Sequence, residues 1–157
     1  MSGDLKTVIT YGTFDVFHIG HLRLLERARA LGDRLVVGVS SDEFNKIKGK
    51  QSIFPYAHRA EIVLATKYVD AVFPEHNWEQ KPDDIKKYGA RVFVMGHDWQ
   101  GKFDGVVQGC EVVYLPRTEG ISSTEVKQAI GLWQRGSLAE VKGDRGVLEE
   151  IFSQLKQ

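Results

Sequence analysis

With 157 residues, 42% hydrophobic and 27% charged, the chain has the size of one domain and a globular composition, enough to bury a core without disulfides or metals. Lysine plus arginine equals aspartate plus glutamate at 21 each, which excludes a bulk positive field drawing the chain to nucleic acid or an anionic membrane. The single cysteine, Cys110, excludes an internal disulfide framework and a cysteine-rich zinc site, and fits a small residue at a strand edge.

In chain order, "TVITYG" (7–12) reads as a first strand. In residues 21–31, Leu24, Leu25, Ala28 and Leu31 fall at helical spacing, and Gly32 stands where a left-handed cap belongs. A second strand follows in "DRLVVGVS" (33–40). A helix over Tyr56–Val69 is expected to bury Ile62, Val63, Ala65 and Val69, and a weaker strand follows in "VDAVFP" (69–74). Pro82 opens and Gly89 closes a short helix. "ARVFVMG" (90–96) and "CEVVYLP" (110–116) complete five strands, and Ser122 with Glu125 spells a capping box before "VKQAIGLW".

The strand runs are nearly continuous rather than alternating, as strands covered on both faces require. Strands alternating with helices predict a single α/β doubly wound, mainly parallel five-stranded sheet flanked by helices, a Rossmann-like arrangement. Residues 1–131 are expected to form that domain. Residues 132–157 are expected to form a helical extension, with Leu148, Ile151, Phe152 and Leu155 as an apolar stripe, packed on the same domain or on a partner subunit. No apolar run is long enough to span a membrane, and "MSGDLK" lacks the core of a signal peptide, so a soluble cytoplasmic protein is expected.

Two segments carry the chemistry. "TYGTFDVFHIGHLRLLERARALGD" (10–33) places His18 and His21 where a strand gives way to a helix. Free N–H groups and the positive dipole end attract phosphate there, and Gly12 and Gly20 clear the approach. "PRTEGISST" (116–124) also follows a strand and opens a helix. Arg117 supplies a fixed charge, and Thr118, Ser122 and Ser123 supply hydroxyls. "GHDWQGKF" (96–103) nearly spells a P-loop but puts Phe103 where a magnesium-binding hydroxyl belongs.

"GTFDVFHIGH" resembles the H-x-G-H signature of the small nucleotidyltransferases, which binds the triphosphate of CTP or ATP. The same residues also read as the HIGH signature of class I aminoacyl-tRNA synthetases, but the chain is short for a synthetase and lacks their lysine-rich second motif. "RTEGISS" is similar to the family's second triphosphate-contacting segment. "LLERARALGD", "SSDEFN", "VFPEHNWEQK", "CEVVYLPRTEGIS" and the residues around "GKFD" extend the likeness over about residues 7–131. There the chain looks like the glycerol-3-phosphate cytidylyltransferases.

That resemblance implies transfer of CMP from CTP to glycerol 3-phosphate, giving CDP-glycerol for teichoic acid or capsule synthesis. It implies a homodimer, and small-molecule partners rather than nucleic acid or membrane. Magnesium is expected on the nucleotide phosphates, with no metal site in the protein itself. His18, His21 and Arg117 are the expected catalytic residues, stabilising charge as pyrophosphate leaves. Gly12, Thr13, Phe14, Asp15, Gly20, Lys50, Asp98, Thr118, Gly120, Ile121, Ser122 and Ser123 are expected around CTP. Lys48, Arg59, Trp78 and Lys81 are expected around the acceptor. On residue type alone, "KIKGK" equally fits a solvated loop and Trp78 a core or interface aromatic. His97 and Lys67 depart from the family pattern, which has an acidic residue and an arginine there; lysine cannot copy arginine's bidentate fork. Rival readings are a cytidylyl- or adenylyltransferase for another phosphomonoester, such as ethanolamine phosphate or a sugar phosphate, and an inactive nucleotide-binding regulator.

Overall fold

The structure, a computed structural model, describes residues 4–135; the expected helix through Leu148–Leu155 and most of the C-terminal extension lie outside them. The chain divides into two compact units, the first ending at Gly120 and the second beginning at Ile121.

The first unit holds strands β1 (Thr7–Gly12), β2 (Arg34–Ser40), β3 (Ala71–Glu75), β4 (Ala90–Gly96) and β5 (Glu111–Leu115). All neighbours pair in parallel, in the order β3-β2-β1-β4-β5. Its helices are α1 (Ile19–Arg29), α2 (Asp42–Ile47), α3 (Tyr56–Ala65) and α4 (Lys81–Lys87). The near-continuous apolar runs are explained by two cores, one on each sheet face. Val8, Val37 and Val94 pack with Leu25 and Ala28 of α1 and Val63 of α3. Ile9, Val36 and Phe93 pack with Ile85 of α4. After β3 the chain crosses to the other side of β1, so the winding reverses between β1 and β4. Ligands of open α/β sheets collect beyond the carboxyl ends of the strands at that switch point.

Three local expectations change. Gly32 does not adopt a left-handed conformation; it is small because a Cβ there would lie 2.4 Å from the Lys6 carbonyl oxygen and 2.7 Å from Val8 Cγ2. Helix α3 ends at Ala65, and its inward residues are Arg59 and Val63, whereas Ile62 is 41% exposed and Ala65 is on the surface. The short helix α2 escaped the reading because six residues carry too little periodicity to register; Ser41 caps it, its Oγ accepting the Phe44 N–H at 3.1 Å.

In the second unit, α5 (Ser123–Arg135) begins where the capping pattern places it, with Ser122 Oγ accepting the Glu125 N–H at 3.1 Å.

Gly32→Ala should destabilise the protein by about 1–3 kcal/mol, because the new methyl meets a backbone oxygen that cannot rotate away. A urea unfolding midpoint measures it.

Candidate active site

The loop from Gly12 to His18 joins β1 to α1 and is strained. Phe14 (φ 54) and Val16 (φ 49) occupy the left-handed region, which costs about 1–3 kcal/mol each for such residues. Buried Asp15 between them offsets that cost. Its carboxylate accepts the Ile53 N–H at 2.6 Å and the Phe54 N–H at 3.0 Å, charge-assisted bonds of about 1.5–3 kcal/mol each. Gly12 leaves room for the Phe14 ring, whose Cε2 would lie 2.8 Å from a Cβ there. That ring is buried in the core and meets His21 edge-on, with centroids 5.5 Å apart. Phe14 therefore supports an imidazole rather than lining the space expected for nucleotide.

The two histidines cap α1 reciprocally. His18 Nδ1 accepts the Gly20 N–H at 3.0 Å, and His21 Nδ1 accepts the His18 backbone N–H at 3.3 Å. The rings stack with centroids 3.8 Å apart. An Nδ1 that accepts carries no proton, so each neutral ring holds its proton on Nε2. Burial, reinforced by His18 and opposed by Asp15, pulls His21 down to about 3. At neutral pH His21 is thus an uncharged hydrogen-bond donor at a helix N-terminus, suited to a phosphate oxygen and unsuited to general acid chemistry.

A cavity of about 250 Å³ opens beyond the carboxyl ends of β1 and β4, with Gly12, Thr13, Lys48, Lys50, Trp78 and Glu75 in its wall. Lys48 caps the end of α2, and its ammonium donates to Ser40 Oγ at 2.8 Å while resting 4.5 Å from the Phe44 ring centroid. Burial pulls Lys48 down to about 8; Lys50, Lys81 and Arg59 add to this, and Glu75 opposes it. Lys81 is buried at the start of α4, bonded to Glu75 Oε1 at 2.5 Å and placed 4.5 Å from Tyr11 and 4.6 Å from Trp78. Trp78 and Trp99 pack against each other at 4.9 Å. The cavity therefore combines ammonium groups with aromatic walls, a setting for a small phosphorylated molecule.

Arg59 takes another position than the acceptor-facing one expected of it. It is 1% exposed, and its guanidinium donates to the carbonyls of Phe54, Thr13 and Ser40 and to Asp42 Oδ1 at 2.7–2.9 Å. It clamps the floor of the site. Asp42 also accepts the Tyr56 N–H, and this bond, with Arg59, holds its carboxyl below the ordinary range.

The remaining expected residues lie outside this cavity wall. Asp98 and His97 are exposed on a single turn (His97–Trp99) after β4. Lys67 lies 5.2 Å from the Tyr68 ring, outside the cavity wall. Exposed Arg117, half-buried Thr118 and exposed Gly120 follow β5, where the Pro116 carbonyl accepts from Arg27 Nη1 at 3.2 Å. Ile121, Ser122 and Ser123 open the second unit, Ser122 as its helix cap. Glu75, Ser40 and Tyr11 were missed. A charged residue closing the apolar run "DAVFPE" was the available signal, and a parallel strand buried on both faces does not end in a carboxylate without a partner.

His21 should not titrate between about pH 5 and 9, and its ring nitrogens should report the Nε2–H tautomer throughout. Nitrogen-15 NMR of the labelled imidazoles reads both.

Comparison with known proteins agrees with this geometry. A cytidylyltransferase-like family model matches residues 9–129. The glycerol-3-phosphate cytidylyltransferase of Bacillus subtilis (strain 168) is 59% identical over 126 residues, 80% of this chain and 98% of that one. The glycerol-3-phosphate cytidylyltransferase of Staphylococcus aureus (strain NCTC 8325 / PS 47) is 54% identical over 126 residues, 80% of this chain and 96% of that one. Among solved structures, a lipopolysaccharide core biosynthesis protein from Thermoplasma volcanium GSS1 superposes with a TM-score of 0.64 at 24% identity, over 73% of this chain and 99% of that one, a likeness of fold. The chain belongs to the cytidylyltransferase-like family, among the glycerol-3-phosphate cytidylyltransferases.

Proposed function

We propose that the protein transfers CMP from CTP to glycerol 3-phosphate, releasing pyrophosphate and forming CDP-glycerol. The observation that carries this reading is that the loop whose Gly12 and Thr13 line the lysine-bearing cavity runs on to the two locked imidazole donors that cap α1. The imidazoles suit a triphosphate and the cavity an acceptor phosphate. A phosphate oxygen of the acceptor attacks the α-phosphorus in line as the bond to the bridging oxygen of the β-phosphate breaks. The nucleophile is already anionic, so alignment and stabilisation of the departing charge are what the protein supplies.

The imidazole Nε2–H groups of His18 and His21 donate to triphosphate oxygens, and Arg117 with Thr118 meets the same group from the end of β5. Gly20 and Gly120 shape the nucleotide's surroundings, Asp98 receives its cytosine or ribose, and Lys50 its phosphates. Lys48 faces the acceptor phosphate beside Trp78, with buried Lys81 behind it. Among the described residues no group of three or more His, Cys, Asp or Glu is placed to hold a metal ion, and magnesium is assigned to the nucleotide's own oxygens. The product would feed a teichoic acid or glycerol-containing capsule, and the enzyme would act in the cytoplasm as a homodimer. The exposed apolar side chains of Ile53, Phe54, Ile62 and Leu64 support association.

Pyrophosphate release measured for CTP, ATP, GTP and UTP against a panel of phosphomonoesters tests the assignment. CTP with glycerol 3-phosphate should be the fastest pair; a faster pair, or no turnover with any, overturns it. His18→Ala and His21→Ala should each lower kcat by about a hundredfold or more, and wild-type kcat in both would remove the histidines from the reaction. Acceptor binding needs charged Lys48, so it should be complete well below pH 8 and fade as pH rises through about 8, the value to which burial brings this ammonium.

A further inference from the structure

The cavity contains one carboxylate, and nothing in the reaction above uses it. Glu75 is 2% exposed, closes β3, and is the register partner of Ser40 at the end of β2. Its two oxygens are divided. Oε1 accepts from Lys81 Nζ at 2.5 Å, and Oε2 accepts from Ser40 Oγ at 2.7 Å. Ser40 Oγ in turn accepts from Lys48 Nζ at 2.8 Å. A hydroxyl has one proton; with Lys48 donating into its oxygen, that proton goes to Glu75 at 2.7 Å in preference to the Gly12 carbonyl at 3.4 Å. The chain of donors runs one way, from Lys48 through Ser40 to Glu75, and meets the bond from Lys81 at the same carboxylate.

We infer that Glu75, acting through Ser40, is a positioning residue for the acceptor phosphate, fixing the Lys48 ammonium in the cavity wall with the buried Lys81 ammonium on the same carboxylate behind it. This rests on the acceptor assignment proposed above. The Lys81 ammonium repels that of Lys48, and burial disfavours the Lys48 charge. One carboxylate between them offsets both effects and leaves a net positive charge for a phosphate. A stability role does not account for the arrangement, since a buried ion pair is commonly replaceable by apolar side chains at no loss. The parallel register makes it durable, because Ser40 and Glu75 are held opposite one another by the strands themselves.

The groups facing Lys48 are Glu75 from β3, Lys81 from α4, Arg59 from α3 and Lys50 from the following loop, with the Phe44 and Trp78 rings. Among these ionisable groups only Glu75 raises the Lys48 pKa. Neutralising it therefore moves the loss of Lys48 charge to lower pH.

The test is steady-state kinetics of Glu75→Gln and Ser40→Ala over pH, with CTP and glycerol 3-phosphate varied separately. An amide at position 75 has no charge and one accepting oxygen; with that oxygen on Lys81, its N–H faces Ser40 Oγ, which must reverse the bond and turn its proton to the Gly12 carbonyl. Glu75→Gln should raise the acceptor KM by about tenfold or more and leave the KM for CTP within about twofold. Its alkaline decline in kcat/KM for the acceptor should begin at lower pH than in the wild type. Ser40→Ala keeps the Lys81–Glu75 bond and should give the same separation at about threefold; it decides the matter if Glu75→Gln does not fold. An acceptor KM within about twofold of wild type, or a parallel rise in both KM values with no movement of the alkaline limb, overturns the inference. Wild-type enzyme that turns over no pair including glycerol 3-phosphate overturns the acceptor assignment instead.

Discussion

The site depends on one buried guanidinium. Arg59 reaches from α3 beneath the strand ends and ties the backbone at Thr13, Ser40 and Phe54 to the Asp42 carboxylate. Those positions belong to the ends of β1 and β2, the start of α2 and the loop before α3. An arginine suits the task because its planar fork serves several carbonyls at once and stays charged at any working pH. Without it, the buried Ser40 carbonyl would lose this donor, a cost of about 1–3 kcal/mol, and the part-buried Thr13 and Phe54 carbonyls would lose theirs at a smaller one. Catalytic loops are seldom regular; here irregular backbone is made rigid by one side chain.

On that floor the chain builds two electrically different neighbours. The histidines are neutral donors whose tautomer is dictated by backbone N–H groups. The lysines are charged and lie against aromatic faces. Neutral donors at a helix start follow charge as it shifts along a polyphosphate without holding the ground state too tightly. Fixed ammoniums suit a ligand whose charge stays where it is. The separation of these tasks follows from the winding: β1 leads to the imidazoles, while the carboxyl ends of β2 and β3 lead to the lysines.

Much of this was legible in the residues. Four of the five strands lie within a residue or so of the apolar runs, and the fifth is displaced by about two, because β-branched continuity in a parallel sheet is a strong local signal. The histidine pair and the segment around Arg117 stood out through glycines and helix-opening patterns. Arg59 was harder. In a list of residue types it is a cation suited to a phosphate, and only the fold reveals that three carbonyls and an aspartate have already taken its donors. For Glu75 the one signal was a charge closing an apolar run: its partner Ser40 is 35 residues away and becomes a neighbour only through strand register, and Lys81 only through the start of α4. Gly32 illustrates a third case, in which the residue was expected for its conformation and is needed for its size.

The grip of Asp15 on the amides of Ile53 and Phe54 has a thermodynamic consequence. The loop carrying the two imidazoles and the segment that follows Lys48 and Lys50 are joined at that carboxylate. Free energy is a state function, so any bias that occupancy of one side places on the other is mutual. Whatever help the nucleotide gives its co-substrate, the co-substrate must return in equal measure.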